Sequence, residues 1–445
     1  MFRRFRNRPI PLASVFLCIF CLTLIYGCLP NSQSVAEAST LLTEPFLQLP
    51  TENSVRVVWF TEFPGEKNMV AYGENLKQTT DATTIKLSHA REDQKDKQYQ
   101  QPIDRDIWRH EAEVTGLTPG KEVDYQVISK PENGGDAKSQ IYSLTPAPQP
   151  GKPLKILLTS DHQLKPMTAA NLQKAKETAG DIDAVFMAGD LINIPDRASE
   201  WFDDNRGGAF FPAFQGRANY QIDKDGVKTG YTGEEIIQEA PLFTAIGNHE
   251  VMGRRGKSDS LGDEYNDAIP RAVAKDLYGE SSLSANSFNT DTYEEIFSLP
   301  ESKSGGEKYY ATTFGDVRLI VLYATNIWRV PSLEPDAKGK YREREADFNN
   351  PENRGYGQHI FEPIDKGSPQ YNWLVEELNS PEFKQAKYKV VMFHHPVHSL
   401  GENIVPAYTN PVQIIQKDNS GKVTNIRYEY PLEEDYLIRD IVPLL

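Results

Sequence analysis

Four apolar runs, spread from residue 155 to residue 395, all end in side chains that bind cations. They are "KILLTSDHQ" (155–163), "AVFMAGD" (184–190), "LFTAIGNHE" (242–250) and "YKVVMFHH" (388–395). Short apolar runs bounded by polar residues read as buried strands. Side chains that follow a buried strand emerge at the carboxyl edge of a sheet, where open α/β folds place their ligands. The chain is therefore constrained to a fold that gathers four strand ends. Asp161, Asp190, Asn248 and His394 offer the carboxylate, amide oxygen and imidazole donors that hard and borderline divalent ions take together. Each has an ordinary reading when taken singly. Gly-Asp after a strand is commonly a turn, and Asn248 is a residue that tolerates positive φ, with His249 a surface group. "FHHPVHS" places three of the eight histidines within five residues, and Pro396 alone would enforce a loop there. The ordered set, one member at each strand end, points to a metal site.

The rest of the chain frames these strands. Residues 41–145 alternate with period 2: Val55, Val57 and Trp59 share one face of "SVRVVWF", and Val123, Tyr125 and Val127 share one of "VDYQVIS". Short strands at this spacing, with a turn at "TGLTPG", predict a β-sandwich. The charged stretch "REDQKDKQYQQ" reads as a solvated loop within it. The proline-rich "TPAPQPGKP" (145–153) reads as a linker. Beyond it, strand, helix and strand alternate: a helix is expected from Thr168 to Gly180, a two-residue hairpin at Gly315-Asp316, and a helix capped by Ser368-Pro369. This is the pattern of an α/β layered domain with mixed sheets. Two polar, glycine-rich insertions, 195–239 and 251–305, are long enough to be lids or extra elements.

At its amino end the chain carries a basic "MFRRFRNRP" followed by the short apolar run Leu12–Gly27. That pair reads as a secretory signal over residues 1–28, because the run falls short of bilayer length. "LIYGC" around Cys28 is similar to a bacterial lipobox. Export is expected, as a periplasmic, secreted or lipoprotein-anchored protein attached to the membrane through its amino end. All three cysteines lie at or before Cys28, so disulfides and cysteine nucleophiles are not expected in the body. Without residues 1–27 there remain 44 basic against 63 acidic residues, a net charge of −19. No basic stripe runs through the body, which argues against nucleic acid as a partner.

The series "SDHQ", "GDLIN", "GNHE", "FHHP" resembles the calcineurin-like metallophosphoesterases. The amino-terminal portion resembles the fibronectin-III-like domain that precedes the catalytic domain in purple acid phosphatases. The resemblance implies a fibronectin-III-like β-sandwich over 41–148 and a metallophosphoesterase domain over 152–445. It also implies two divalent or trivalent metal ions, drawn from Mn, Fe, Zn or Mg, and a small phosphoester substrate. By position, Asp190 would bridge the ions, Asp161 would hold the first, and Asn248 and His394 would hold the second. His249 would lie beside the phosphoryl group as general acid, with Glu250 orienting it from behind. The implied reaction is hydrolysis of phosphate monoesters by a metal-bridged hydroxide. A phosphodiesterase or nucleotide pyrophosphatase on the same site, and a non-catalytic surface binding protein, remain the alternatives.

Three departures from the family pattern shape these expectations. Asn193 stands where purple acid phosphatases have a tyrosine ligand, so an iron(III)–phenolate centre is not expected. Gln163 stands where other members have a histidine, and its amide oxygen becomes the available donor, favouring harder ions such as Mn²⁺ or Mg²⁺. No Gly-His-x-His motif follows His398. The chain then reads as a carboxyl-terminally incomplete domain, a fragment or a product completed by another chain, with weak metal binding and slow catalysis. His395 and His398 face the substrate or are structural. Arg206, Arg217, Arg254 and Arg255 are candidate phosphate contacts.

Overall fold

The computed structural model describes residues 40–93, 99, 101–256, 259–330, 338–398 and 407–445. The expected export signal, with Cys28, lies outside the described residues.

Eleven strands come first: β1 (Phe46–Gln48), β2 (Ser54–Thr61), β3 (Lys67–Tyr72), β4 (Gln78–Asp81), β5 (Thr83–Lys86), β6 (Arg91–Glu92), β7 (Ile103–Asp104), β8 (Trp108–Thr115), β9 (Val123–Lys130), β10 (Ala137–Lys138) and β11 (Tyr142–Leu144). They form one sheet in the order β1-β2-β8-β5 and another in the order β10-β9-β3-β4, with β11 also on β9; β6 and β7 pair as a hairpin. Val55, Val57 and Trp59 from the first sheet meet Val70, Tyr125 and Val127 from the second in one core. The Trp59 indole N–H donates across it to Ser129 Oγ at 2.9 Å.

The period-2 reading captures only half of β2. Val58 and Phe60, on its opposite face, are also fully buried, because that face packs on the following domain. The Phe60 ring lies 5.0 Å from Phe202 and 5.5 Å from Phe211. The solvated-loop expectation for residues 91–101 fails at its start as well. Arg91, with Asp196 Oδ2 at 2.7 Å and Glu264 Oε2 at 2.6 Å, is buried in an ion network. Arg197 extends that network to Asp93 and Glu200, each at 2.7 Å. The charges that make the segment look solvated are met by groups distant in sequence: Arg91 by Asp196 and Glu264, Asp93 by Arg197, and Glu92 by the Ser199 N–H. Residues 94–98 and 100 lie outside the described residues.

The second domain opens with β12 (Ile156–Thr159), α1 (Thr168–Ala179) and β13 (Ala184–Met187). Gly180, at φ 73°, stops the helix where expected. The insertion that follows is built rather than loose. It holds short helices at Ala198–Phe202 and Phe210–Phe214 and the hairpin β14 (Tyr220–Lys224)–β15 (Val227–Tyr231). Its buried Trp201, Phe202, Phe210 and Phe211 make up the aromatic interface with β1 and β2.

Then comes β16 (Leu242–Thr244), which completes a parallel sheet ordered β12-β13-β16. The second insertion is a set of short helices, including α2 (Leu261–Tyr265). β17 (Tyr310–Phe314) and β18 (Val317–Val321) form the expected hairpin, with Phe314 paired to Val317. The helix α3 (Pro369–Leu378) follows, its first turn capped by Ser368 Oγ accepting from the Tyr371 N–H at 3.2 Å. β19 (Tyr388–Met392) then pairs parallel to β18, making the second sheet mixed. A last hairpin, β20 (Val412–Lys417)–β21 (Val423–Glu429), precedes 3₁₀ and π turns at the carboxyl end. Among the described residues no helix is long and apolar enough to cross a membrane.

Candidate metal centre

Parallel pairing of β12 with β13 sets their ends side by side, and the loops beyond continue the ladder. The Asp161 N–H donates to Gly189 O at 3.1 Å, and the Gln163 N–H donates to Leu191 O at 3.0 Å. The second sheet contributes His394, whose Nδ1–H donates to Ala188 O at 2.9 Å. This bond joins the two sheets at their carboxyl edges. As a result, ligating atoms of Asp161, Asp190 and His394 all lie within 4.8 Å of one another.

Two glycines permit this convergence. A Cβ on Gly189 would stand 2.7 Å from Gly247 N and 3.0 Å from His394 Nδ1, and one on Gly247 would stand 2.3 Å from Asp190 Oδ1. The loops carrying "GD" and "GNHE" therefore touch backbone to backbone. Asp161 (φ 55°), Gln163 (φ 40°) and Asp190 (φ 55°) adopt left-handed conformations. Such residues cost on the order of 1–3 kcal/mol each and gather where the surroundings over-determine them.

Electrostatics concentrate on Asp190, which is 4% exposed. Its Oδ1 lies 3.3 Å from His394 Nε2 and accepts the His249 backbone N–H at 3.0 Å. Its Oδ2 lies 3.9 Å from His249 Nε2 and 3.3 Å from Gln163 Nε2. Burial opposes its charge, but the His394 and His249 imidazoles outweigh burial and hold the carboxyl at about 2. His394 is half-buried, and Asp190 outweighs the cost of burial and raises it to about 9. Both shifts have the sense of a pocket that favours positive charge beside Asp190.

Glu250 ties the two loops together. It is fully buried and accepts the backbone N–H groups of Gly247 (2.7 Å), Asp190 (2.8 Å) and Leu191 (2.8 Å). Burial, followed by the charge of Asp190, pushes it up to about 8. His249 Nδ1–H donates to the Asn193 carbonyl at 2.6 Å, which leaves Nε2 as the nitrogen facing Asp190. Asn248 is buried and donates its amide N–H to the Tyr265 hydroxyl at 3.2 Å. The His249 ring stacks on Tyr265 at 5.2 Å. Nothing in the sequence signals Tyr265, an aromatic residue in the acidic stretch "DEYND".

Other sequence candidates fall elsewhere. His162 stacks on Phe214 at 4.9 Å and hydrogen-bonds Thr159 Oγ1 at 2.9 Å, within the core. His395 is buried, with Nδ1 against Thr325 Oγ1 at 2.8 Å, and burial pushes its imidazole down to about 3. His398 is exposed. Each candidate arginine has an acid partner: Arg206 with Asp204, Arg217 with Glu44, Arg254 with Asp267 and Arg255 with Asp104. A cavity of about 470 Å³ lies away from the cluster, between β7 and α2, and its arginines Arg91 and Arg255 are paired to Glu264 and Asp104.

The donor set suits hard or borderline cations. Two carboxylates and an imidazole converge, with the amide groups of Gln163 and Asn248 at the margin. A half-turn of the Gln163 amide would present its oxygen where its nitrogen now faces Asp190.

Comparison with known proteins gives a consistent picture of the fold. Residues 43–145 match the model of the purple acid phosphatase N-terminal domain, and residues 154–418 match that of the calcineurin-like phosphoesterases. Among solved structures, the chain is similar to the purple acid phosphatase PPD1 from yellow lupin (Lupinus luteus) seeds, with a TM-score of 0.52 and 16% identity. The match covers 90% of this chain and 56% of that one, so this chain spans little more than half of that protein's length. At this identity the likeness is one of fold. A bromine derivative of BhCBM56 (TM-score 0.14, 14% identity, 22% of this chain and 86% of that one) matches only locally. So does vertebrate astrotactin-2 (TM-score 0.17, 11% identity, 31% and 26%). No curated protein matches the sequence.

Proposed function

The chain belongs to the calcineurin-like phosphoesterase family, and from that premise we propose that it hydrolyses phosphate monoesters at the Asp161–Asp190–His394 cluster. The observation that carries this reading is the convergence of those three donors from two sheets, with His249 Nε2 facing the same carboxylate. In this reading Asp161 and Gln163 would hold one cation and Asn248 and His394 the other, with Asp190 available to both. When bound, such a pair supplies Lewis acidity toward the phosphoryl group and lowers the pKa of water.

The protein's own contribution is placement and proton handling. Asp190 stays ionised in a buried setting and offers both oxygens. His249 is oriented by the Asn193 carbonyl, so its Nε2 is the atom that delivers a proton to the departing alkoxide. Glu250 keeps the two loops in register. His398, exposed beyond the cluster, is the proposed contact to the substrate, while His395 supports His394 from the core. Export of the protein rests on residues 1–28.

The test compares a chromogenic phosphomonoester with its diester after chelation and on adding Mn²⁺, Zn²⁺ or iron. Hydrolysis of the monoester should vanish with chelator, return with Mn²⁺, and fall at least 100-fold in Asp190→Asn. Faster cleavage of the diester would replace the monoesterase reading. A folded protein inert with every metal would overturn hydrolysis altogether.

A further inference from the structure

We infer that Tyr265, contributed by the second insertion, is a positioning residue that fixes which atoms of Asn248 and His249 face the metal centre; this rests on the hydrolase reading of that centre. One aromatic ring makes both contacts. Its hydroxyl accepts the Asn248 Nδ2–H at 3.2 Å, and its face stacks on the His249 imidazole with centroids 5.2 Å apart and planes 21° from parallel.

The hydroxyl contact matters because an asparagine amide has two unlike ends. Only the oxygen ligates a cation, and the NH₂ end repels one. Tying the nitrogen to Tyr265 leaves the oxygen as the end available to the centre. Outer partners of this kind set ligand orientation, and their loss commonly costs 10–100-fold in metal affinity. The ring contact matters because Asn193 alone would leave the His249 plane free to swing about the Nδ1–H bond. Stacking on Tyr265 removes that freedom and keeps Nε2 toward Asp190.

Tyr265 is itself held firmly. It is 8% exposed and packs with Ile194, Met252 and Leu261. α2 is capped by Ser260, whose Oγ accepts the Asp263 N–H at 3.1 Å. The helix is anchored through Glu264, which accepts from Arg91 at 2.6 Å and from the Gly256 N–H at 2.7 Å. The second insertion thus supplies a rigid backstop for two motif residues.

The experiment is calorimetric titration of the full chain with Mn²⁺, alongside kcat and KM for a chromogenic phosphomonoester. Tyr265→Phe keeps the ring and should weaken Mn²⁺ about tenfold or more, with its thermal midpoint near that of the wild type. Adding Asn248→Asp should restore most of the affinity, because a carboxylate has two equivalent oxygens and needs no hydroxyl to orient it. A purely structural role for Tyr265 would not be rescued in this way. Tyr265→Leu should in addition lower kcat about tenfold more than KM changes; if it does not fold, Tyr265→Phe and its rescue decide. Wild-type Mn²⁺ affinity in a folded Tyr265→Phe, or failure of the rescue, overturns the assignment. A wild type that binds Mn²⁺ but cleaves no ester refutes the hydrolase reading alone, since the titrations still judge Tyr265. A wild type that binds no Mn²⁺ overturns both.

Discussion

At the scale of single residues, the centre depends on atoms that are missing as much as on those present. Gly247 has no room for a side chain: Asp190 Oδ1 would lie 2.3 Å and Asp190 N 2.6 Å from its Cβ. Backbone cannot yield as the tip of a flexible side chain can. Gly247→Ala must therefore push the "GNHE" turn off the "GD" loop and break the Glu250 bonds that span them. The expected outcome is a loss of about 1–3 kcal/mol in stability from overpacking and at least a tenfold loss of Mn²⁺ affinity. Urea unfolding and calorimetric titration would measure these. Unchanged Mn²⁺ affinity would show that the loops have slack.

Individual elements carry their own titration behaviour, and β8 is the clearest case. His110 is fully buried on this central strand, between Thr61 Oγ1 on β2 (2.8 Å to Nε2) and Thr84 Oγ1 on β5 (2.9 Å to Nδ1). Burial, aided by the neighbouring Arg109 charge, pushes its imidazole down to about 4. A group whose folded pKa is depressed stabilises the fold fully above its unfolded value, about 6.5 for histidine. That contribution is lost as pH falls from about 6.5 toward 4, roughly 3 kcal/mol in all. His162 is shifted the same way by burial, while His89 is raised by its bond to Glu295, so the whole protein reports a sum. The comparison with His110→Gln isolates the strand: its stability should fall less steeply by up to one proton over that range. Parallel slopes in urea unfolding at stepped pH would contradict the assignment.

For the whole molecule, the two domains are joined by a core rather than by a linker alone. Phe46 and Phe60 from the first domain pack with Trp201, Phe202, Phe211 and Phe297 of the second, and all are fully or almost fully buried. Beside them runs the buried network of Arg91, Asp93, Asp196, Arg197, Glu200 and Glu264. Domains sharing a large apolar interface unfold together. Calorimetry should thus show one transition for the wild type. Phe60→Ala should cost about 3–5 kcal/mol and begin to separate the domains into two transitions. Two resolved transitions in the wild type would contradict this coupling.

What the sequence determined by itself was local. Apolar runs, their period, the Gly315-Asp316 turn and the Ser368 cap are set by neighbours a few residues away, and each appears where the sequence puts it. The positions of Asp161, Asp190 and His394, two or three residues beyond their strands, were legible for the same reason, since side chains that follow a buried strand emerge at the sheet edge. Contacts between distant segments were not legible. The second buried face of β2, the distant partners of Arg91 and Asp93 in an apparently solvated loop, and Tyr265 behind Asn248 all depend on such contacts. Arg91 and Asp196 are 105 residues apart, and Tyr265 lies 17 residues from Asn248 across an irregular insertion. No residue pattern records which surfaces will meet across such gaps. Only the tertiary structure decided that strand ends from two sheets converge on Asp190, because packing the sheets together and matching buried charges are properties of the whole fold.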